Sequence, residues 1–169
     1  MVGRARLPLL IFLPLALAIP SRGGAATQNA TVNANVIRAL TLTSLQNLDL
    51  GTITLGLGTW SGATVAISST GAFSCGAKLI CTGATQPAIY KVTGSNKMVV
   101  KITAPNVTMV NQADPTKSLT LVVDNPGQVT LTSSGEPGNN FSLGGSITLD
   151  STTPTGTYTG TFQVTVDYQ

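Results

Sequence analysis

Gly156-Thr157-Tyr158-Thr159-Gly160-Thr161-Phe162-Gln163-Val164-Thr165-Val166-Asp167-Tyr168-Gln169 alternates without a fault from end to end. Its even positions, Gly156, Tyr158, Gly160, Phe162, Val164, Val166 and Tyr168, are glycine, aromatic or aliphatic, and every odd position is polar. Successive side chains of a strand point to opposite faces, so the pattern predicts one strand, Thr157–Tyr168, with an apolar face for a core and a polar face for water. It is longer than the usual strand of about five or six residues.

The residues before it repeat the theme in shorter phrases. Runs with period-two alternation predict strands at Ala30–Val36, Leu48–Leu55, Ala63–Ser69, Ala88–Thr93, Met98–Ala104, Ser118–Asp124 and Phe141–Leu149, with a further one at Gln128–Thr132. Turn-forming stretches such as Thr93-Gly94-Ser95-Asn96, Gln112-Ala113-Asp114-Pro115 and Asn125-Pro126-Gly127 separate them. No linker or internal repeat divides the chain. About eight or nine short strands at this spacing point to an all-β, Ig-like Greek-key sandwich.

The opening residues read as a signal peptide over 1–26. Arg4 and Arg6 precede Leu7–Ile19, an apolar run of 13 residues broken by Pro14. A membrane-spanning helix needs about 20 apolar residues, whereas a signal core is shorter. Gly24-Ala25-Ala26 suits cleavage after Ala26, with Ala16-Leu17-Ala18 as a second site. The expected product is exported and not inserted in a membrane after signal removal. One domain, 27–169, remains, of a size suited to one core.

Losing the signal also changes the charge. The chain has nine Lys plus Arg and six Asp plus Glu, but Arg4, Arg6 and Arg22 fall within the signal, which leaves six of each. The basic excess therefore belongs to the leader, and a nucleic-acid partner is not expected. A near-neutral surface of Thr, Ser, Asn and Gly puts little charge repulsion between copies of the chain. Cys75 and Cys81, an even pair in an exported chain, are expected to form a disulfide closing a small loop, with a contribution of about 2 kcal/mol on the chain-entropy model. Two thiols in a chain without histidine make a poor zinc site, and no metal or cofactor is expected.

The start of the mature chain mirrors its end. Ala30, Val32, Ala34 and Val36 share one face of the predicted strand, with Thr31, Asn33 and Asn35 on the other. Such a strand can be the first of its own sandwich, or it can pair with another chain.

The two ends together resemble a known pattern. The penultimate Tyr168, Gly156 and the apolar alternation between them are similar to the C-terminal signature of chaperone–usher pilins. Leu48-Asp49-Leu50-Gly51-Thr52-Ile53 looks like a strand start of archaic pilins and spore-coat-U-like domains. The chain more closely resembles the exported bacterial domain of unknown function 4402, which has a similar Asp-Leu-x-Gly-x-Ile start and Gly-Thr-Tyr-x-Gly-Thr-Phe-x-Val-Thr-Val-x-Tyr end. No cysteine precedes Cys75, where many pilins carry one.

The pilin likeness implies a structural subunit of a pilus-like fimbrium or other surface assembly, passing through the periplasm to the cell surface. Its fold would be completed by a donor strand, residues 27–36, in which Ala30, Val32, Ala34 and Val36 enter beside the final strand of a neighbouring copy or related subunit. A periplasmic chaperone would first read Gly156, Tyr158, Gly160, Phe162, Val164, Val166 and Tyr168, and an usher would follow. The alternative is a self-complete secreted sandwich that binds glycans or mediates adhesion through loops around Trp60 or Cys75–Cys81. Enzymatic function is not expected. Histidine, the commonest general base, is missing, the carboxylates are scattered, and no phosphate loop or nucleophile elbow occurs.

Overall fold

The computed structural model describes residues 23–169. Residues 1–22 of the expected signal peptide lie outside the described residues. The chain divides into a unit ending at Ala34 and a body, Asn35–Gln169. In the first unit, residues 23–34 carry no helix or strand and are exposed. This corrects the expected strand Ala30–Val36: it enters no ladder, and Val32 and Val36 stand 88% and 91% exposed. Alternation makes a stretch able to be a strand, but partner hydrogen bonds make it one.

The body is all β. Its strands are β1 (Thr41–Gln46), β2 (Thr52–Leu55), β3 (Ala63–Ile67), β4 (Phe73–Cys75), β5 (Leu79–Thr82), β6 (Ala88–Thr93) and β7 (Val99–Thr103). They continue with β8 (Val107–Asn111), β9 (Ser118–Asp124), β10 (Gln128–Thr130), β11 (Asn139–Leu149), β12 (Tyr158–Thr159) and β13 (Thr165–Tyr168). The sandwich expected from the alternation is there, built from more and shorter strands. Four of them, β1, β4, β5 and β8, do not follow from the sequence pattern. In β1 the register shifts between Ser44 and Gln46, which leaves Leu45 about half exposed and disrupts the period.

The large sheet runs β1-β6-β11-β9-β8-β12, with β3 on β11 and β4 on β3. A smaller sheet runs β10-β7-β13, and β2 pairs with β5 alone. Gly145 of the long β11 is paired on both sides, with Ile67 of β3 and Val123 of β9.

The expected single final strand is corrected to two. Tyr158–Thr159 pairs with β8 in the large sheet, Thr165–Tyr168 pairs with β7 in the small one, and residues 160–164 join no ladder. The cause lies in the partner. Residues 104–106 separate β7 from β8, and Pro105 among them has no N–H to give a ladder. The partner changes sheets there, and the final segment changes with it. Its alternation survives the break: Tyr158, Phe162, Val164, Val166 and Tyr168 are half-buried, while the odd positions are exposed.

Two apolar clusters fill the body. One gathers Leu50, Val65, Ile67, Val107, Leu121, Ile147 and Leu149; the other gathers Ala88, Val92, Val100, Ile102, Leu131, Phe141 and Leu143. Leu48, Val123 and Phe162 pack against both and join them.

Candidate functional site

The ladders around the first cluster almost close into a ring. Antiparallel pairings lead from β12 through β8, β9, β11 and β3 to β4. From β4 the path crosses the Cys75–Cys81 disulfide to β5, and β5 pairs with β2. The expected disulfide is formed. Between β2 and β12 there is no ladder. Among the described residues each of these strands pairs on one side only, so each presents there a border of unpaired backbone groups.

A cleft of about 510 Å³ occupies that seam. One wall is Leu48–Ile53 and Leu55; the other is Thr153–Tyr158 with Gly160 and Phe162. Met109, Leu119, Leu121, Ile147 and Leu149 also line it, and Leu121, Ile147 and Leu149 belong to the buried cluster at 3%, 5% and 5% exposure. The cleft thus opens directly on the core. Water takes about 30 Å³ per molecule in the liquid, so the space is that of a row of side chains and not of one or two trapped waters. Asp49 is the only charged residue on its lining among the described residues, and its Oδ1 is occupied by the N–H of Gly51 at 2.8 Å.

The final-segment wall is held in place by specific contacts. Asn111 is buried, at 1% exposure, and its Nδ2 donates to the carbonyl of Thr155 at 3.1 Å. Its Oδ1 accepts from the N–H groups of Ala113 and Asp114, so the amide is anchored at both ends. Gly156 follows with φ +147°, and a Cβ there would lie 2.5 Å from that same Oδ1. A Cβ on Gly160 would lie 2.7 Å from Val107 Cγ1, which shows how closely the wall lies on β8. Upstream, Asp150 Oδ1 accepts from the N–H and hydroxyl of Thr152 at 2.9 and 2.8 Å and fixes the turn into Thr153. The side-chain bond from Thr152, followed by its backbone bond, holds the Asp150 carboxyl below the ordinary aspartate range. Asp114 is lowered in the same way, chiefly by the Thr116 hydroxyl and then its N–H.

At the far end of the final segment Tyr168 makes a second anchorage. Its hydroxyl accepts from the N–H of Ser95 and donates to the carbonyl of Arg38, both at 2.7 Å. The N–H of Arg38 in turn donates to Ser95 Oγ at 2.7 Å. The root of the N-terminal stretch is thereby tied to the last strand.

Of the residues singled out in the sequence, Gly156, Tyr158, Gly160 and Phe162 line the cleft, and Val164, Val166 and Tyr168 pack on the second cluster. The Leu48–Ile53 stretch forms the opposite wall. Trp60 lies elsewhere, beside a shallower hollow of about 400 Å³ between residues 60–64 and 76–78. Its indole N–H is engaged with the carbonyl of Gly56 at 2.9 Å, and its backbone exchanges hydrogen bonds with Ser151. Asn111 and the cleft residues Met109 and Ile147 do not emerge from the sequence. The odd positions Leu119 and Leu121 of β9, apolar in an alternating run, are the readable sign of the cleft's floor.

Fold and site define an all-β sandwich domain with an unclosed seam that opens on an apolar floor. The family model described as Domain of unknown function (DUF4402) matches residues 40–168, and the chain belongs to that family. No curated protein and no solved structure gives a significant match.

Proposed function

We propose that the chain is an exported structural subunit of a pilus-like or other surface assembly, joined to its neighbours by donor-strand complementation. The cleft is the acceptor, and the stretch holding Ala30, Val32, Ala34 and Val36 of another copy is the donor. The observation that carries the reading is the pair of strand borders, β2 and β12, unpaired among the described residues and facing one cleft whose apolar floor reaches the core. Such borders are aggregation hazards unless something covers them, and an extended segment covers them best, because its backbone pairs while alternate side chains drop inward. The donor row has the required period. Its two valines are almost fully exposed, and each stands to gain about 1.5–3 kcal/mol on full burial. In this reading a periplasmic chaperone covers the same seam before assembly, and an usher mediates the exchange.

The test compares the mature chain, 27–169, with a variant lacking 27–36 by analytical ultracentrifugation over a range of concentrations. The mature chain should form larger species as concentration rises. The shortened chain should stay a folded monomer and bind a synthetic peptide of residues 27–37. A mature chain that is monomeric at every concentration, together with a shortened chain that ignores the peptide, would remove the proposal.

A further inference from the structure

The cleft wall that carries β2 is backed by β5, and this two-stranded ribbon is attached to the body in an unusual way. Among the described residues neither strand has a backbone ladder with any strand but the other. Within the ribbon Thr52–Leu55 faces Thr82–Leu79, and the isolated Asp49–Gln86 bridge closes its stem. Its grip on the body consists of an inner row, Ile53, Leu55, Leu79 and Cys81, half-buried against the first cluster, of the Trp60 indole N–H on the Gly56 carbonyl just past β2, and of the bond from Cys81 to Cys75. The outer face is open, with Ile80 62% exposed. The chain between β4 and β5 is only residues 76–78, and Lys78 there takes φ +73°. That connection sets where β5 begins, but the angle at which it leaves β4 is set two residues further on, at Cys81.

We infer that the Cys75–Cys81 disulfide is a staple on the acceptor cleft itself, so that the oxidation state of this pair governs whether the cleft can take a donor strand. The inference rests on the acceptor reading above. With the bond formed, β5 is held against β4, β2 is held opposite β12, and the seam keeps a fixed width. A dithiol reductant reaches the pair through Cys75, which is exposed. It supplies two electrons: the S–S bond breaks, two S–H bonds form, and the dithiol closes to its own disulfide. Cys81 remains a small apolar side chain on the inner row, so the core loses no apolar group. What is lost is the covalent tether on the β5 side, and the ribbon is left with its stem bridge, the single Trp60–Gly56 hydrogen bond and its inner apolar row to keep it beside the cleft. The second cluster, enclosed by β6, β7, β11 and β13, has no share in the staple. Reduction should therefore unlock one wall and spare the rest. An oxidising compartment would arm the acceptor before assembly.

The experiment uses the mature chain, a fluorescent peptide of residues 27–37, and hydrogen exchange read residue by residue. The folded, oxidised chain is measured first, then the same sample after treatment with a dithiol, then the Cys75→Ser/Cys81→Ser variant. The expected result is peptide binding weakened by at least about tenfold on reduction. It should come with faster exchange at Thr52–Leu55 and Leu79–Thr82 and unchanged protection at Ala88–Thr93 and Val99–Thr103. Equal binding before and after reduction, or ribbon amides indifferent to it, would overturn the inference. If the oxidised chain takes no peptide, the acceptor reading fails and the proposed gating with it, while the exchange data still report whether the bond holds the ribbon. Should the double-serine variant fail to fold, reduction of the already folded chain gives the answer.

Discussion

Tyr168 shows how one hydroxyl can tie two distant parts of the chain. Sequence pattern places it on the apolar face, and its ring packs on the second core cluster, but its oxygen serves the backbone of Ser95 and Arg38. Tyr168→Phe keeps the ring and leaves one donor and one acceptor short of a partner. The expected loss is about 1–2 kcal/mol, read as a lower urea midpoint at unchanged slope. Asp114 and Asp150 make a second residue-scale prediction. Hydrogen bonds from their threonines favour the charged carboxylate in the folded state, so the folded pKa lies below the ordinary value of 3.8. Their contribution is fully present above that value and is lost as pH falls through the lowered one. Unfolding midpoints of the wild type should fall more steeply below about pH 4 than those of Asp114→Asn/Asp150→Asn. The two proteins should run parallel from about pH 5 to 8.

At the scale of elements, the final segment and the N-terminal row invert the expectations drawn from them. The faultless alternation of Gly156–Gln169 promised one strand; Pro105, in the segment that partners it, divides it into β12 and β13. The alternation of Ala30–Val36 promised a strand as well, and the structure leaves it unpaired and exposed. An exposed row that contributes nothing to its own fold can be altered without cost to that fold. Val32→Asp should change monomer stability by no more than about 0.5 kcal/mol, as thermal unfolding of dilute protein would show. The same change would bury a charge against the apolar floor of the proposed acceptor, Leu119, Leu121, Ile147 and Leu149, and it should abolish concentration-dependent assembly in the ultracentrifuge. A variant that assembles like the wild type would show that this row is not the donor.

For the molecule as a whole, the arrangement of cores matters more than their size. One cluster is nearly ringed by strands and opens at the cleft; the other is closed by β10-β7-β13 against the large sheet. Phe162 touches both, from the stretch where the final segment crosses between sheets. Phe162→Ala should cost about 2–3 kcal/mol, less than for a fully buried ring because Phe162 is only half-buried. It should also broaden urea unfolding, since the two halves lose a shared side chain; a sharp transition with unchanged slope would show that they are coupled by other means.

Period-two alternation, turn residues and a cysteine pair in the sequence were enough to establish an all-β sandwich, the inward face of its last segment and the disulfide. Those features are local: the side chain's face follows from backbone geometry alone, and Cys75 and Cys81 are near neighbours along the chain. The seam was not local. It exists because β2 pairs with β5 and stops, because β12 pairs with β8 and stops, and because strands far apart in sequence bring these two borders to one cleft. Only tertiary pairing decides which edges find partners, and an unfilled edge has no signature in the residues that form it.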